Sequence, residues 1–511
     1  MIFHSILFKG DCSDSNEKMP EMPLFFGDLN LDQIVDSVTA GREEYDLKPF
    51  FYKALNDIDA IEYRHEIFLD LENETLFEVI RTFAQEMRTV RSHLAMLEKL
   101  RYPLHKEGWL LETIDIYCNA VSGLVEDLTG VAVSSRGFLA FRKYLRQYAL
   151  SETYTSLQAG AKKLKASVAN IRYCILIKGR TVRVRKFEAD IDYSPEVEKT
   201  FERFKQGAVK DYRAKFFADP GMDHVGAQIL DFVAKLHPDI FSDLNDFCAK
   251  NSDFLDETIR RFDREVQFYM AYLGHIAALK RKGLKFCYSR MSKTSKGIHN
   301  DEGFDLALAF QLISKGSPVI CNDFHLNGKE RILLISGPNQ GGKTTFARTF
   351  GQLHYLAALG CPVPGREASL FLFDKLFTHF EKEEDIRNLR GKLQDDMVRI
   401  RHILNEATTN SMIIMNEIFT STTLKDAILL GRKILERIIR LDLLCVCVSF
   451  IEEWASLGDQ TVSMVSTVVP ENPTLRTYKI VRRPADGISH AISIAEKYRL
   501  TYDRLRERIQ S

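Results

Sequence analysis

The sequence predicts a multidomain protein: an α-helical region carrying one small β-hairpin, followed by an α/β domain built around a phosphate-binding glycine loop. Three observations predict it. Most of the first 290 residues show helical periodicity, a short stretch near residue 180 alternates instead, and after residue 300 short apolar runs alternate with helical segments. At 511 residues the chain is also too long for one hydrophobic core, so several domains are expected.

From about Asp32 to Gln158 the pattern is helical. Glu74, Glu78, Arg81, Gln85 and Arg88 share a polar face beside the apolar set Leu76, Val79, Ile80 and Phe83. Between Ile171 and Phe187 the period falls to two, which reads as two strands joined at Lys178-Gly179, a hairpin over about 168–188. Its second strand sets Val182 and Val184 against Thr181, Arg183 and Arg185, so one face is basic. A solvated outer face is the plainer account of those arginines, and phosphate contact the sharper one.

Amphipathic helices resume from Glu196 to Lys282, ending in a long run through Phe262, Val266, Tyr269, Leu273 and Ala277. The Gly-containing polar stretch Ser289–Gly303 is the best candidate for a domain boundary. The expected organisation is therefore an N-terminal segment (1–30), a helical domain (31–290) and an α/β domain (291–511). In the last, strand Ile332–Ser336, a helix from Lys343, strand Met412–Met415, a helix over about Leu424–Ile439 and strand Leu443–Ser449 imply a parallel sheet covered by helices.

Composition narrows the class. Hydrophobic residues at 45% and charged residues at 27% are ordinary for globular proteins, and 70 basic against 70 acidic residues leave any nucleic-acid contact to local patches. Nine scattered cysteines form no CxxC pair and suggest neither a disulfide framework nor a zinc site. Cys445 and Cys447 lie two apart in an apolar run, as neighbours on one face of a buried strand do. The apolar run Ile2–Phe8 lacks a cleavage site, and no stretch reaches the roughly 18 apolar residues of a membrane span, so a cytoplasmic protein is expected.

The chemistry concentrates in Gly337-Pro338-Asn339-Gln340-Gly341-Gly342-Lys343-Thr344, which satisfies GxxxxGK[ST] between a strand and a helix. Glycines let the backbone wrap close to phosphate oxygens, and the helix N-terminus adds a favourable dipole. ATP is the expected ligand. Lys343 would neutralise the β and γ phosphates, and the Thr344 hydroxyl would ligate Mg²⁺. The buried strand Met412–Met415 ends in Asn416-Glu417, placing an amide for the metal and a carboxylate to activate water at the edge where α/β sheets bind ligands.

The nine residues Gly337 to Thr345 resemble the GPNxGGKST loop of the MutS family of DNA mismatch repair ATPases. Later segments are similar in order: Phe377-Thr378 with an acidic stretch, Leu389–Met397 before a helix, Asn416-Glu417-Ile418 followed by Thr422-Thr423 and Asp426, then Val448-Ser449. A weaker likeness covers Tyr63–Leu71. The resemblance implies an ABC-type ATPase domain after a core and lever domain, a homodimer, and duplex or branched DNA held as by a clamp. It implies that Val319–Asn322 packs the adenine, though an edge strand explains that segment equally well.

The chain departs from the family pattern at several positions. Asn416 stands where Asp is usual, Phe419 and Ser421 where a loop has glycines, Gly391 where a signature Ser reaches the partner's nucleotide, and Phe450 where a switch His follows the last strand. The mismatch-reading Phe-x-Glu is missing from residues 1–100, and no room for its domain is expected ahead of the helical core. Two alternatives stay open: a nucleotide-switched interaction protein with little hydrolysis, and an ABC-type ATPase without a DNA partner. The basic residues Arg482, Arg483, Lys497, Arg499, Arg504, Arg506 and Arg508 could meet DNA or the partner, but read more simply as a solvated amphipathic helix.

Overall fold

Helices between Asp70 and Asp263 start where the sequence supplies caps. Asn73 accepts from the backbone of Thr75 and Leu76 at the head of Glu74–Leu97, Ser135 from Phe138 at Arg136–Ala149, and Ser151 from Tyr154 at Glu152–Ala169. Pro103 opens Pro103–Gly130, where its missing N–H costs nothing. The Asp70 carboxylate accepts from the backbones of Ser134 and Ser135, tying down the turn before Arg136. Apolar faces meet around Phe141 and Phe262, stacked 3.5 Å apart.

The computed structural model describes residues 3–10, 20–179, 181–187, 221–381, 391–469, 471–484 and 506. It divides into two compact units, Met1–Phe3 with Asp70–Asp263, and His4–Leu69 with Arg264–Ser511. The start of the helical run expected from Glu196, the acidic stretch after Glu381, Leu389-Arg390 and the basic residues Lys497, Arg499, Arg504 and Arg508 lie outside the described residues. Among the described residues no helix is long and apolar enough to cross a membrane.

The hairpin forms as expected. Tyr173–Lys178 pairs antiparallel with Thr181–Lys186, and Gly179 takes the left-handed φ of +59° that the tight turn demands. Register puts Ile175 and Ile177 opposite Val184 and Val182, and Leu176 opposite Arg183, so the apolar and basic faces are real.

The second unit holds a six-stranded sheet in the order Leu376–His379, Met412–Asn416, Leu444–Val448, Ile332–Ser336, Thr461–Val469, Asn472–Arg482. The first five are parallel and the last is antiparallel. Alternation sends Ile413, Met415, Cys445 and Cys447 into one core with helices Lys392–Glu406 and Leu424–Arg440. Ile414 points the other way, to Gly351 on helix Lys343–Ala358.

Two expectations about boundaries change. The units divide at 69/70 and 263/264, where the sequence reading placed 30/31 and 290/291. The reason is packing on helix Lys343–Ala358: Gln352 donates to the Leu29 carbonyl, Arg348 to that of Asp28, Tyr355 to that of Phe51, and Leu55 N–H to Ala358. Residues 4–69 thus belong with the α/β domain. Likewise Ser289–Gly303 is no linker. Arg290–Ser292 and Ile298–Gly303 are strands of a second sheet with Asn322–Leu326 and Glu367–Phe371. Its polar residues are bound in place, with Asn300 fully buried and donating to Pro364, and Lys296 paired with Asp442.

Candidate functional site

Because strands Ile332–Ser336 and Met412–Asn416 run parallel with Leu444–Val448 between them, their C-terminal ends open on the same edge of the sheet. The glycine loop leaves Ser336 there. Gly337 (φ +114°) and Gly342 (φ +91°) take conformations that other residues rarely adopt. Space is as restrictive as angle: a Cβ on Gly337 would sit 2.9 Å from the Ser466 carbonyl, and one on Gly341 2.3 Å from Ser466 Oγ. Ser466 Oγ itself donates to the Gly341 carbonyl at 2.7 Å, so strand Thr461–Val469 clamps the loop from the side.

Lys343 is the first residue of its helix and only 4% exposed. Its Nζ donates to the carbonyls of Gly337 (2.9 Å) and Pro338 (3.1 Å) and lies 4.2 Å from the centre of the Phe450 ring. Burial pushes its pKa down to about 8; the nearby Glu417 carboxylate opposes that shift, while the Arg476 guanidinium adds to it. Beside it, Thr344 Oγ1 donates to Asn416 Oδ1 at 2.9 Å, bringing together the two oxygens expected to hold a metal. Glu417 follows directly, its N–H bonded to the Val448 carbonyl and its φ at +56°.

Lys343, Thr344, Glu417 and Arg476 line one cavity of about 720 Å³. Asn339 to Thr345 and Glu417 form one end; Leu308, Leu312, Val319 and Ile320 form an apolar wall, joined by Tyr478. Val319 and Ile320 precede the strand that begins at Asn322, so the segment expected either to pack a base or to be an edge strand does line the cavity. Gln340, Gly341 and Gly342 line it, whereas Gly337, Pro338 and Asn416 stand behind that surface.

Comparison with known proteins places the chain. The family model for MutS domain V matches residues 333–501. Two relatives are similar to it: the DNA mismatch repair protein MSH3 of Eremothecium gossypii, 33% identical over 27% of this chain and 13% of that protein, and the DNA mismatch repair protein MutS of Chlorobium phaeovibrioides, 29% identical over 43% of this chain and 25% of that protein. Over residues 333–501 the chain matches the MutS family. The matched region thus spans about a quarter or less of either MutS relative.

The departures from the MutS pattern now have geometry. Phe419, where a glycine was expected, keeps a left-handed φ of +61° while 98% of its surface is hidden, so burial offsets the strain of a bulky residue in that conformation. Gly391 caps helix Lys392–Glu406 with nothing within 4 Å of a Cβ. Phe450 is 47% exposed with its ring on Lys343. Arg482 ends strand Asn472–Arg482 and binds Glu330, so the helix expected to carry it is a strand there.

Sequence reasoning missed Ser466, Arg476, Thr477 and Tyr478, which join the site from the last two strands. Alternation marked those strands weakly, and no local signal marks a serine that closes on a loop 125 residues away.

Proposed function

We propose that this chain is a MutS-type ATP-dependent DNA-binding protein of DNA mismatch repair or a related DNA repair process. ATP binding and hydrolysis at its P-loop switch a homodimeric clamp on duplex or branched DNA. The observation that supports it best is the meeting of Lys343, the Thr344–Asn416 pair and Glu417 around one cavity, in a domain matched by the MutS family.

Gly337, Pro338, Asn339, Gln340, Gly341, Gly342 and Thr345 hold the triphosphate with Lys343, whose ammonium offsets its charge. The crowding of Gly337 and Gly341 against Ser466 fits a loop that must wrap closely. Thr344 and Asn416 offer Mg²⁺ the hard oxygen donors it prefers, and when bound the ion would neutralise phosphate oxygens. Glu417 acts as the base that positions the attacking water. The helical unit over Asp70–Asp263 serves as core and lever, the C-terminal segment as the dimer contact, and the protein acts in the cytoplasm.

A second reading is favoured by one arrangement: Phe450, which cannot accept or donate a proton, occupies the Lys343 end of the site, and Asn416 brings no charge to the metal. On that reading nucleotide binding switches an interaction with little hydrolysis. Mass in solution with and without ATP, duplex and four-way-junction DNA, at several salt concentrations, tests the proposal. ATP-dependent dimers that bind DNA support it. Absence of salt-dependent DNA binding in every nucleotide state sinks the clamp.

A further inference from the structure

We infer that Arg476 is a second phosphate-binding cation of the nucleotide site, reaching the triphosphate from the antiparallel edge strand while Lys343 reaches it from the helix. The inference rests on the nucleotide reading above and adds a residue that the glycine-loop motif does not contain.

The placement comes from a break in the sheet. Strands Thr461–Val469 and Asn472–Arg482 pair Ser466 with Ile480 and Val468 with Arg476, so their register shifts between the two pairs. Thr477, Tyr478 and Lys479 bulge opposite Thr467, and Tyr478 takes a left-handed φ of +59°. The bulge is tied down on both sides. Thr477 Oγ1 donates to the Thr467 carbonyl and Thr467 Oγ1 to that of Lys479, while Asn322 donates to the Tyr478 carbonyl and accepts from Ile480 N–H. Arg476 therefore projects from a fixed base.

Its side chain crosses to the glycine loop, where Nε donates to the Asn339 carbonyl at 3.2 Å, and it lines the same cavity as Lys343, Thr344 and Glu417. A guanidinium presents a planar fork of donors that matches phosphate oxygens, which an ammonium does not. Charge also argues for the role. Asn416 withholds the negative charge a carboxylate would set beside the metal, and Lys343 and Arg476 bring two cations to the cavity that Glu417 lines, as suits a polyanion. The remaining carboxylate in the lining, Asp305, is committed to capping Leu306–Ser314 and to Gln352.

Equilibrium binding of AMP, ADP and ATP to the full chain tests this, comparing wild type with Arg476→Gln, Arg476→Lys and Lys343→Ala. Gln keeps a donor for Asn339 but no charge. The expected result is a loss of ATP affinity of about tenfold or more in Arg476→Gln, growing from AMP to ATP, shrinking in high salt and partly restored by Lys, with an unchanged melting temperature. Equal losses for all three nucleotides would make Arg476 a prop for the loop and overturn the inference. So would unaltered ATP affinity in both Arg476 variants while Lys343→Ala abolishes binding, and in that case the nucleotide reading stands. Failure of the wild-type chain to bind any nucleotide removes both.

Discussion

The hydroxyl of Thr344 donates a 2.9 Å hydrogen bond to the side-chain oxygen of Asn416, joining the first turn of one helix to the end of a strand 72 residues later. The bond fixes two oxygen donors on one spot, yet neither is charged. Replacing Asn416 with Asp adds the missing charge at nearly constant shape. The expected outcome is that the Mg²⁺ concentration needed for half-maximal nucleotide binding falls by roughly ten- to a hundredfold, read by magnesium titration. An unchanged midpoint would remove the pair from the metal site.

Lys343 carries the strongest expectation. Lys343→Ala should abolish ATP binding, since the alanine leaves the phosphates without their central cation; retained affinity would mean that the loop holds something else. A pH signature accompanies it. With its pKa lowered to about 8, the ammonium loses its proton in the free protein as pH rises through that value. Binding to the protonated form must then weaken above pH 8, by up to about tenfold per pH unit. Affinity that stays flat between pH 7 and 9.5 contradicts the assignment. The sign for stability is opposite: burial disfavours the charged form in the folded state, so this group contributes more favourably as pH rises from about 8 toward the ordinary lysine value of 10.5.

Glu417→Gln separates switch from motor. The substitution keeps the hydrogen bond from the Glu417 position's backbone to Val448 and removes only the base. If hydrolysis runs through this carboxylate, steady-state turnover falls by about 10²–10⁴-fold while ATP binding persists. Equal rates for the two proteins would instead favour the weakly hydrolysing, nucleotide-switched reading suggested by Phe450.

A fourth expectation concerns stability. Gly431 lies within helix Leu424–Arg440, where alanine ordinarily stabilises by up to about 1 kcal/mol. Here a Cβ would fall 2.0 Å from the Trp454 ring, which is buried and anchored by its indole N–H on the Ile428 carbonyl. Gly431→Ala should therefore destabilise the α/β unit by about 1–3 kcal/mol, seen as a lower midpoint in thermal unfolding. A higher midpoint would show that Trp454 yields without cost.

What the sequence determined by itself was local. The strand, glycine loop and helix around Gly337–Thr344 are encoded within a dozen neighbouring residues, because phosphate-wrapping geometry requires glycines at fixed offsets. The apolar strand ending in Asn416-Glu417, the turn at Gly179 and the shared face of Cys445 and Cys447 were legible for the same reason, since period and turn chemistry are properties of adjacent residues. Only the tertiary structure decided that Ser466 closes on Gly341, that Arg476 reaches Asn339, and that residues 4–69 pack with the α/β unit. Those contacts depend on which strands become neighbours and where a register shifts. Strand order and bulges arise from whole-domain packing, so they leave no periodic trace in the residues that carry them.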